Sequence, residues 1–159
     1  MKNFKIVLFI IACNISLYSQ VIENKDVVGI WQFNNKNIAA GWLDNYQFFS
    51  NGKFLFNTNQ NDSTKRIISI GGTYKIKDSL LTLQSTFSKE IQGGYLVRSN
   101  TAGGSGWEIK GGKVIVIKYK YKKISSLKIE KCLNKEDIPC ILIDKRIHFK
   151  LDDDPSNYN

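Results

Sequence analysis

Short runs in which apolar and polar residues alternate dominate the chain from about residue 27 onward. A period of two places successive side chains on opposite faces of a strand, whereas no segment sustains the 3.6-residue period of an amphipathic helix. Turn-forming residues separate the runs, most clearly Ser50-Asn51-Gly52, where Asn-Gly suits a tight hairpin. The pattern predicts an all-β domain of about eight to ten short antiparallel strands, in a barrel or a sandwich. The predicted strands are 27–33, 46–49, 53–58, 67–76, 80–84, 94–98, 107–110, 114–122, 126–132 and 140–151.

The clearest alternation lies in the run from residue 115 to residue 122. Its odd positions are Ile115, Ile117, Tyr119 and Tyr121, and its even positions are Val116, Lys118, Lys120 and Lys122. We expect the first set to face the interior and the lysines to face water, where they also discourage pairing between sheet edges.

The first hairpin is rich in aromatic residues. Its tight turn places Phe48 opposite Phe54 and Tyr46 opposite Phe56, all on one face. The interior of an eight-stranded barrel is either filled by side chains or holds one small ligand, so core and candidate binding surface coincide. The predicted interior set is Tyr46, Phe48, Phe54, Phe56, Tyr74, Tyr119 and Tyr121.

Three motifs in succession carry a resemblance to a known family. Gly29-Ile30-Trp31 is similar to the Gly-x-Trp signature of lipocalins, and it is followed by the Ser-Asn-Gly hairpin and by Gly72-Thr73-Tyr74-Lys75-Ile76-Lys77-Asp78. Over residues 25–151 the chain resembles bacterial lipocalin-like domains of exported proteins, which implies one antiparallel up-and-down β-barrel over residues 21–151. The resemblance also implies that Trp31 closes one end, packed by a basic side chain from near the last strand. Arg146 is the expected partner and Lys145 the alternative.

The first twenty residues are typical of an export signal. Lys2 and Lys5 precede an apolar run over 6–12, which is far too short to span a bilayer. We expect cleavage after Ser19 or Gln20 and a periplasmic or secreted protein. The alternative is lipidation at Cys13, because residues 10–13 resemble a lipobox. The protein would then be an outer-membrane lipoprotein, and only in that case do we expect it to bind a membrane.

Two cysteines, Cys132 and Cys140, remain after the signal. An even count behind an export signal favours a disulfide that staples neighbouring strands, and two buried free thiols are the alternative.

The charge balance is basic, with 23 Lys and Arg against 14 Asp and Glu. Only Arg66, Arg98 and Arg146 are arginines, and so many lysines with so few arginines argue against nucleic-acid recognition. A solvated basic surface and contact with an anionic envelope polymer both account for the excess.

Candidate chemistry beyond binding is sparse. The one histidine, His148, alternates with Ile147 and Phe149 and is expected to face solvent; we predict no catalytic residues, no metal site and no cofactor. Residues 87–106 contain a glycine-rich segment and are predicted to be an irregular loop. It could close over the barrel mouth as a lid, with Tyr95, Arg98 and Asn100 as polar contacts. Residues 152–159 are predicted to form a flexible acidic tail.

Two functional hypotheses follow. The first is an exported lipocalin-like protein that binds a small hydrophobic or amphipathic ligand inside the barrel. The alternative is an envelope protein-interaction module with a filled barrel and no small ligand, which uses its lysine face or the 87–106 loop.

Overall fold

A computed structural model describes residues 22–37, 42–99, 106–132 and 138–158. Within them the chain forms eight antiparallel strands and two short 3-10 helices, Asn24–Val27 and Pro155–Asn157. The strands are β1 (Gly29–Phe33), β2 (Asn45–Phe48), β3 (Lys53–Asn57), β4 (Ile67–Lys77), β5 (Leu80–Arg98), β6 (Trp107–Lys131), β7 (Cys140–Ile143) and β8 (Arg146–Asp152). The predicted signal segment and Cys13 lie outside the described residues, as does Asn100.

Each strand pairs with the next along the chain, and β8 pairs back with β1. The all-β, antiparallel up-and-down architecture is therefore confirmed, and its eight strands close in a ring. In the first hairpin the register pairs Phe48 with Phe54 and Tyr46 with Phe56, as predicted. A ring suits this sequence because closure gives the short strands two neighbours each.

Several predicted strand boundaries in the second half of the chain are wrong. The separate strands predicted over 107–110, 114–122 and 126–132 are one strand, β6, which continues through Gly111-Gly112 and through residues 123–125. Residues 87–93, predicted as part of a loop or lid, belong to β5, which also contains the predicted strand 94–98. The predicted strand 140–151 is divided by a tight turn at Asp144 and Lys145, whose φ angles are 49° and 66°. Neither residue is a glycine or an asparagine, so the turn had no strong sequence signal.

The core of the ring is apolar and densely packed. Phe48, Leu81 and Ile129 are completely buried, and Phe54, Ile76 and Ile141 complete the cluster around them. Because these residues come from strands far apart in sequence, ring closure is what creates the core. Gly72 lets β4 and β5 approach closely, since a Cβ there would collide with the carbonyl oxygen of Gln84.

β5 and β6 extend well past the ring. β7 pairs with β6 through residues 129–131, and β4 pairs with β5 no farther than Glu90. We call residues 84–98 of β5 and residues 107–124 of β6 the overhang, in which residues 84–90 of β5 still pair with β4 on their other side. A bulge within it sets Thr86 alone against residues 119–122, because Ser85 pairs with Lys123 and Phe87 with Lys118.

The predicted flexible tail is wrong for the residues that the structure describes. Asp152 belongs to β8, Pro155 is buried, and its carbonyl accepts a hydrogen bond from Nε2 of Gln47. The ring of Tyr158 packs on that of Trp42 at 5.0 Å between centroids. Docking against the outer face of the sheet therefore orders this segment.

The disulfide between Cys132 and Cys140 is confirmed, with 5.4 Å between their Cα atoms. It links the end of β6 to the start of β7, where the ring has a short pairing. None of the described helices has the length and apolarity needed to cross a membrane.

Candidate ligand site at the mouth of the ring

The end of the ring near the first helix is sealed by Trp31. Its indole is buried and its Nε1 donates a hydrogen bond of 2.6 Å to the carbonyl of Val27. The basic side chain over the indole is Lys150, whose Nζ lies 5.5 Å from the ring centroid. Arg146 and Lys145 are therefore not the partners of Trp31. The register explains this, because Trp31 pairs with Lys150, four residues farther along the chain than Arg146.

The opposite end of the ring is open and holds a cavity of about 260 Å³. β1 runs from the sealed end to this mouth, which places Phe33 at its rim. Aromatic rings of Phe33, Tyr46 and Phe56 line one part of the wall, and Leu127 and Ile143 add an aliphatic part. The polar groups at the mouth belong to Arg146, His148, Asp44 and Asp144.

Tyr46 connects the core to the cavity. Its ring stacks on Phe48 at 5.4 Å and packs against Phe56 at 4.9 Å, while its other neighbour is His148 at 5.6 Å. Burial of the phenol raises the pKa of Tyr46 to about 12, although the positive charge of Arg146 opposes the shift. The hydroxyl therefore stays protonated and able to donate a hydrogen bond.

His148 does not face solvent, so that prediction is wrong. Its side chain is buried between Phe33 and Tyr46, with ring centroids 5.6 Å from each. The register decides its orientation, because His148 pairs with Phe33 of β1. The alternation with Ile147 and Phe149 did not identify which of the two faces is the interior.

The hydrogen bonding of His148 leaves one nitrogen for the cavity. Nδ1 lies 2.9 Å from the carbonyl oxygen of Arg146. Because a carbonyl only accepts, Nδ1 carries the hydrogen of the neutral ring and Nε2 carries the lone pair. Burial lowers the pKa of His148, although its hydrogen bond to the carbonyl of Arg146 opposes the shift. At neutral pH the histidine therefore offers an acceptor to any molecule in the cavity.

The charged side chains at the rim differ in whether they already have partners within the protein. Asp44 is occupied, because Oδ1 accepts a 2.6 Å hydrogen bond from the backbone of Asn59 and lies 3.4 Å from Nζ of Lys65. Arg146 is exposed and its guanidinium carbon lies 5.9 Å from the centre of the Phe33 ring. Its fork of N–H donors therefore stands at the rim beside an aromatic face.

The residues predicted to line the interior separate into three groups. Tyr46 and Phe56 line the cavity, while Phe48, Phe54 and Tyr74 fill the ring beneath it. The hydroxyl of Tyr74 donates to the carbonyl of Phe49 at 3.1 Å and so ties β4 to the first hairpin.

Tyr119 and Tyr121 lie in the bulge of the overhang rather than in the ring, so their predicted interior position is wrong. Tyr121 is 75% exposed, and Tyr119 has the ammonium of Lys123 4.4 Å from its ring centroid. Sequence reasoning missed most of the other cavity residues, above all Phe33 and His148, which flank Tyr46 and the mouth.

Two wider hollows of about 680 Å³ each lie on the outside of the sheet. One runs along outward-facing side chains of β4 and β5, such as Lys75 and Thr82. The other is lined by residues of β3, β4 and β5 and of the segment 58–65, with Tyr158 of the docked tail at its side. They are concave because the sheet twists, and neither reaches the interior of the ring. The mouth is therefore the better candidate despite its smaller volume.

In the described ranges, no three His, Cys, Asp or Glu side chains come close enough together to hold a metal ion. The polar groups at the mouth, a donor, an acceptor and a cation around aromatic walls, are suited to binding rather than to a recognisable reaction. No family model, no curated protein and no solved structure matches this chain.

Proposed function

We propose that this protein is an exported, lipocalin-like binding protein that holds a compact amphipathic molecule at the mouth of its ring. The observation that supports the proposal most is the arrangement of His148 and Tyr46. The acceptor nitrogen of His148 and the hydroxyl of Tyr46 lie beside the aromatic wall of the same cavity. A site with a few oriented polar groups on apolar walls is typical of small-molecule recognition.

The size of the cavity limits the ligand. Cavities for drug-sized ligands commonly measure about 300–1,000 Å³, and the mouth offers about 260 Å³. The ring beneath the mouth is filled by Phe48, Phe54 and Tyr74. We therefore expect no room for a long acyl chain, and room for one or two fused rings against the aromatic wall that includes Phe33 and Phe56.

The polar groups indicate the chemistry of the ligand. Nε2 of His148 accepts a hydrogen bond, the hydroxyl of Tyr46 donates one, and Arg146 supplies a positive charge at the rim. We therefore expect an aromatic or alicyclic body that carries an anionic group toward Arg146 and a hydroxyl or N–H toward His148.

Binding of three probes tests this proposal by calorimetry. 2-Naphthoate has a compact ring system and a carboxylate, 2-naphthalenemethanol lacks the charge, and palmitate has the charge on a long chain. We expect 2-naphthoate to bind most tightly and palmitate most weakly. Native mass spectrometry of protein purified from its own host should also detect a small co-purified molecule.

Neighbouring cations on one turn provide a matched pair of variants. Arg146→Gln should weaken 2-naphthoate binding by about tenfold, because a charged hydrogen bond contributes about 1.5 kcal/mol or more. Lys145→Gln removes the charge of the preceding residue, whose side chain does not line the cavity. This variant should leave the affinity for 2-naphthoate unchanged. Equal losses in both variants, or tighter binding of palmitate, would contradict the proposal.

A further inference from the structure

Among the described residues, no strand pairs with the side of β6 in the overhang that faces away from β5. Past the bulge, residues 113–118 keep a regular register with β5, from Lys113 opposite Gln92 to Lys118 opposite Phe87. Nearer the tip the edge is covered, because the N–H of Ile109 donates to the carbonyl of Ser63 at 3.1 Å. Between tip and bulge lies a straight six-residue stretch, which we call the free edge.

The backbone groups that point outward from the free edge can be identified. Ile91 donates its N–H to the carbonyl of Arg66, on the β4 side of β5. In an antiparallel ladder, two partners whose groups point away from each other form a non-hydrogen-bonded pair. Since Ile91 pairs with Val114, the N–H and C=O of Val114 point to the free edge, and those of Val116 and Lys118 follow by alternation.

The side chains of the free edge are unusually apolar for an exposed strand. The sequence from Lys113 to Lys118 is Lys-Val-Ile-Val-Ile-Lys, with Val114 55% and Val116 59% exposed. β-Branched residues on an unpaired edge are a ready template for another strand. The flanking lysines select what can add.

Charge decides between the partners. Residues 110–123 contain six lysines and neither an aspartate nor a glutamate. A second copy that paired with the same stretch would bring its own six lysines beside these six, and this concentration of like charge opposes the pairing. An extended segment with acidic residues at its ends meets the lysines with opposite charge and satisfies the outward backbone groups.

We propose that the free edge, residues 113–118 of β6, docks an extended acidic segment of a partner polypeptide, which adds to the sheet as a further strand. Main-chain hydrogen bonds to Val114 and Val116 hold the segment, and Lys113 and Lys118 select its charge. This surface is separate from the mouth, and either can exist without the other.

The probe is the peptide acetyl-Glu-Val-Thr-Val-Thr-Glu-amide, with affinity measured by calorimetry. Two matched peptides carry backbone N-methyl groups, one on the odd residues and the other on the even residues. One of the two should lose at least tenfold in affinity, because only the residues whose N–H faces β6 form the ladder. Oligoglutamate of equal length should bind at least tenfold more weakly than the unmodified peptide.

Two substitutions at Val116 test the same point on the protein. Val116→Pro removes an outward N–H without removing a bond to β5, a position where strand prolines are tolerated. Val116→Thr keeps the N–H and the β-branched shape. We expect at least a tenfold loss of peptide affinity in the first variant and less than a threefold change in the second, with both melting near the parent temperature.

Several results would overturn the proposal. Equal binding by both N-methylated peptides and the parent peptide would exclude a ladder, and so would undiminished affinity in a folded Val116→Pro variant. Equal affinity for oligoglutamate would assign the surface to an anionic polymer instead. A dimer in sedimentation that Val116→Pro dissociates would show that the occupant is a second copy.

Discussion

The ring and the overhang are built from the same strands but differ in what the alternation of residues achieves. In the ring part of β6, Ile129 is completely buried, whereas Ile124 in the overhang is 65% exposed. Both residues lie in a β-strand. Ile124 pairs with Gln84 of β5, and the N–H of Ile129 donates to the carbonyl of Ser79, just before β5. The alternation of apolar and polar residues therefore specifies a strand and its two faces. Whether a face is buried depends on the other strands that ring closure places opposite it.

The two regions also differ in how backbone groups are satisfied. Ring strands have neighbours on both sides, whereas residues 113–118 pair only with β5 in the part of the chain that the structure describes. Lysines and the bulge at 119–122 protect the rest of the edge, as in many proteins that avoid edge-to-edge association. The comparison separates a region built for stability from one whose unsatisfied edge invites a partner.

Matched truncations within β6 should show the largest contrast. Ile129→Ala creates a cavity in the packed ring and should lower the free energy of unfolding by about 2–5 kcal/mol. Ile124→Ala removes the same atoms from the overhang and should change it by no more than about 0.5 kcal/mol. Urea unfolding followed by tryptophan fluorescence measures both. Similar losses in the two variants would mean that the overhang is packed against something in solution.

Removal of the disulfide is expected to be the next largest effect. Serine at both Cys132 and Cys140 should lower the free energy of unfolding by about 2–3 kcal/mol, because the bond closes a short loop at the β6–β7 junction. Reduction of the parent protein should reproduce this shift in the urea midpoint, and the double variant should not respond to reductant. Peptide affinity at the free edge should not change, since β5 alone supports that stretch.

The parts of the structure that local pattern determines were predictable. Ser50-Asn51-Gly52 set the turn and the register that pairs Phe48 with Phe54, and the cysteine count indicated the disulfide. Long-range pairing determined the rest. The face of His148 depends on its pairing with Phe33, more than a hundred residues away, and Tyr121 is exposed because β7 does not reach it. Gly111-Gly112 had the composition of a turn but lies within a continuous strand, where Gly93 and Gly94 on β5 lie near it.

Between pH 7.5 and pH 5.0, stability should depend on the protonation of His148 in the ring. Burial lowers the pKa of His148, so the unfolded chain binds more protons below its ordinary value of about 6.5. The folded state is therefore most stable, as far as His148 contributes, above pH 6.5. Its free energy of unfolding falls as the pH drops from there toward the lowered pKa of His148 in the folded state. His148→Phe keeps an aromatic ring beside Tyr46 and should remove this contribution. Urea midpoints at pH 7.5 and 5.0 should differ less in the variant than in the parent; an unchanged difference would show that His148 is not the group responsible.

The smallest expected effect distinguishes the two ends of the ring. Lys150→Gln removes the cation over Trp31 at the sealed end and should lower the free energy of unfolding by about 0.5–1 kcal/mol. Lys150 also pairs with Asp153, so Asp153→Asn is the control; its side chain is 92% exposed, and little change is expected. Arg146→Gln at the mouth should weaken ligand binding while changing stability less than Lys150→Gln, because the mouth is open and Arg146 is exposed. The reverse order of stabilities would mean that Arg146, rather than Lys150, supports closure of the ring.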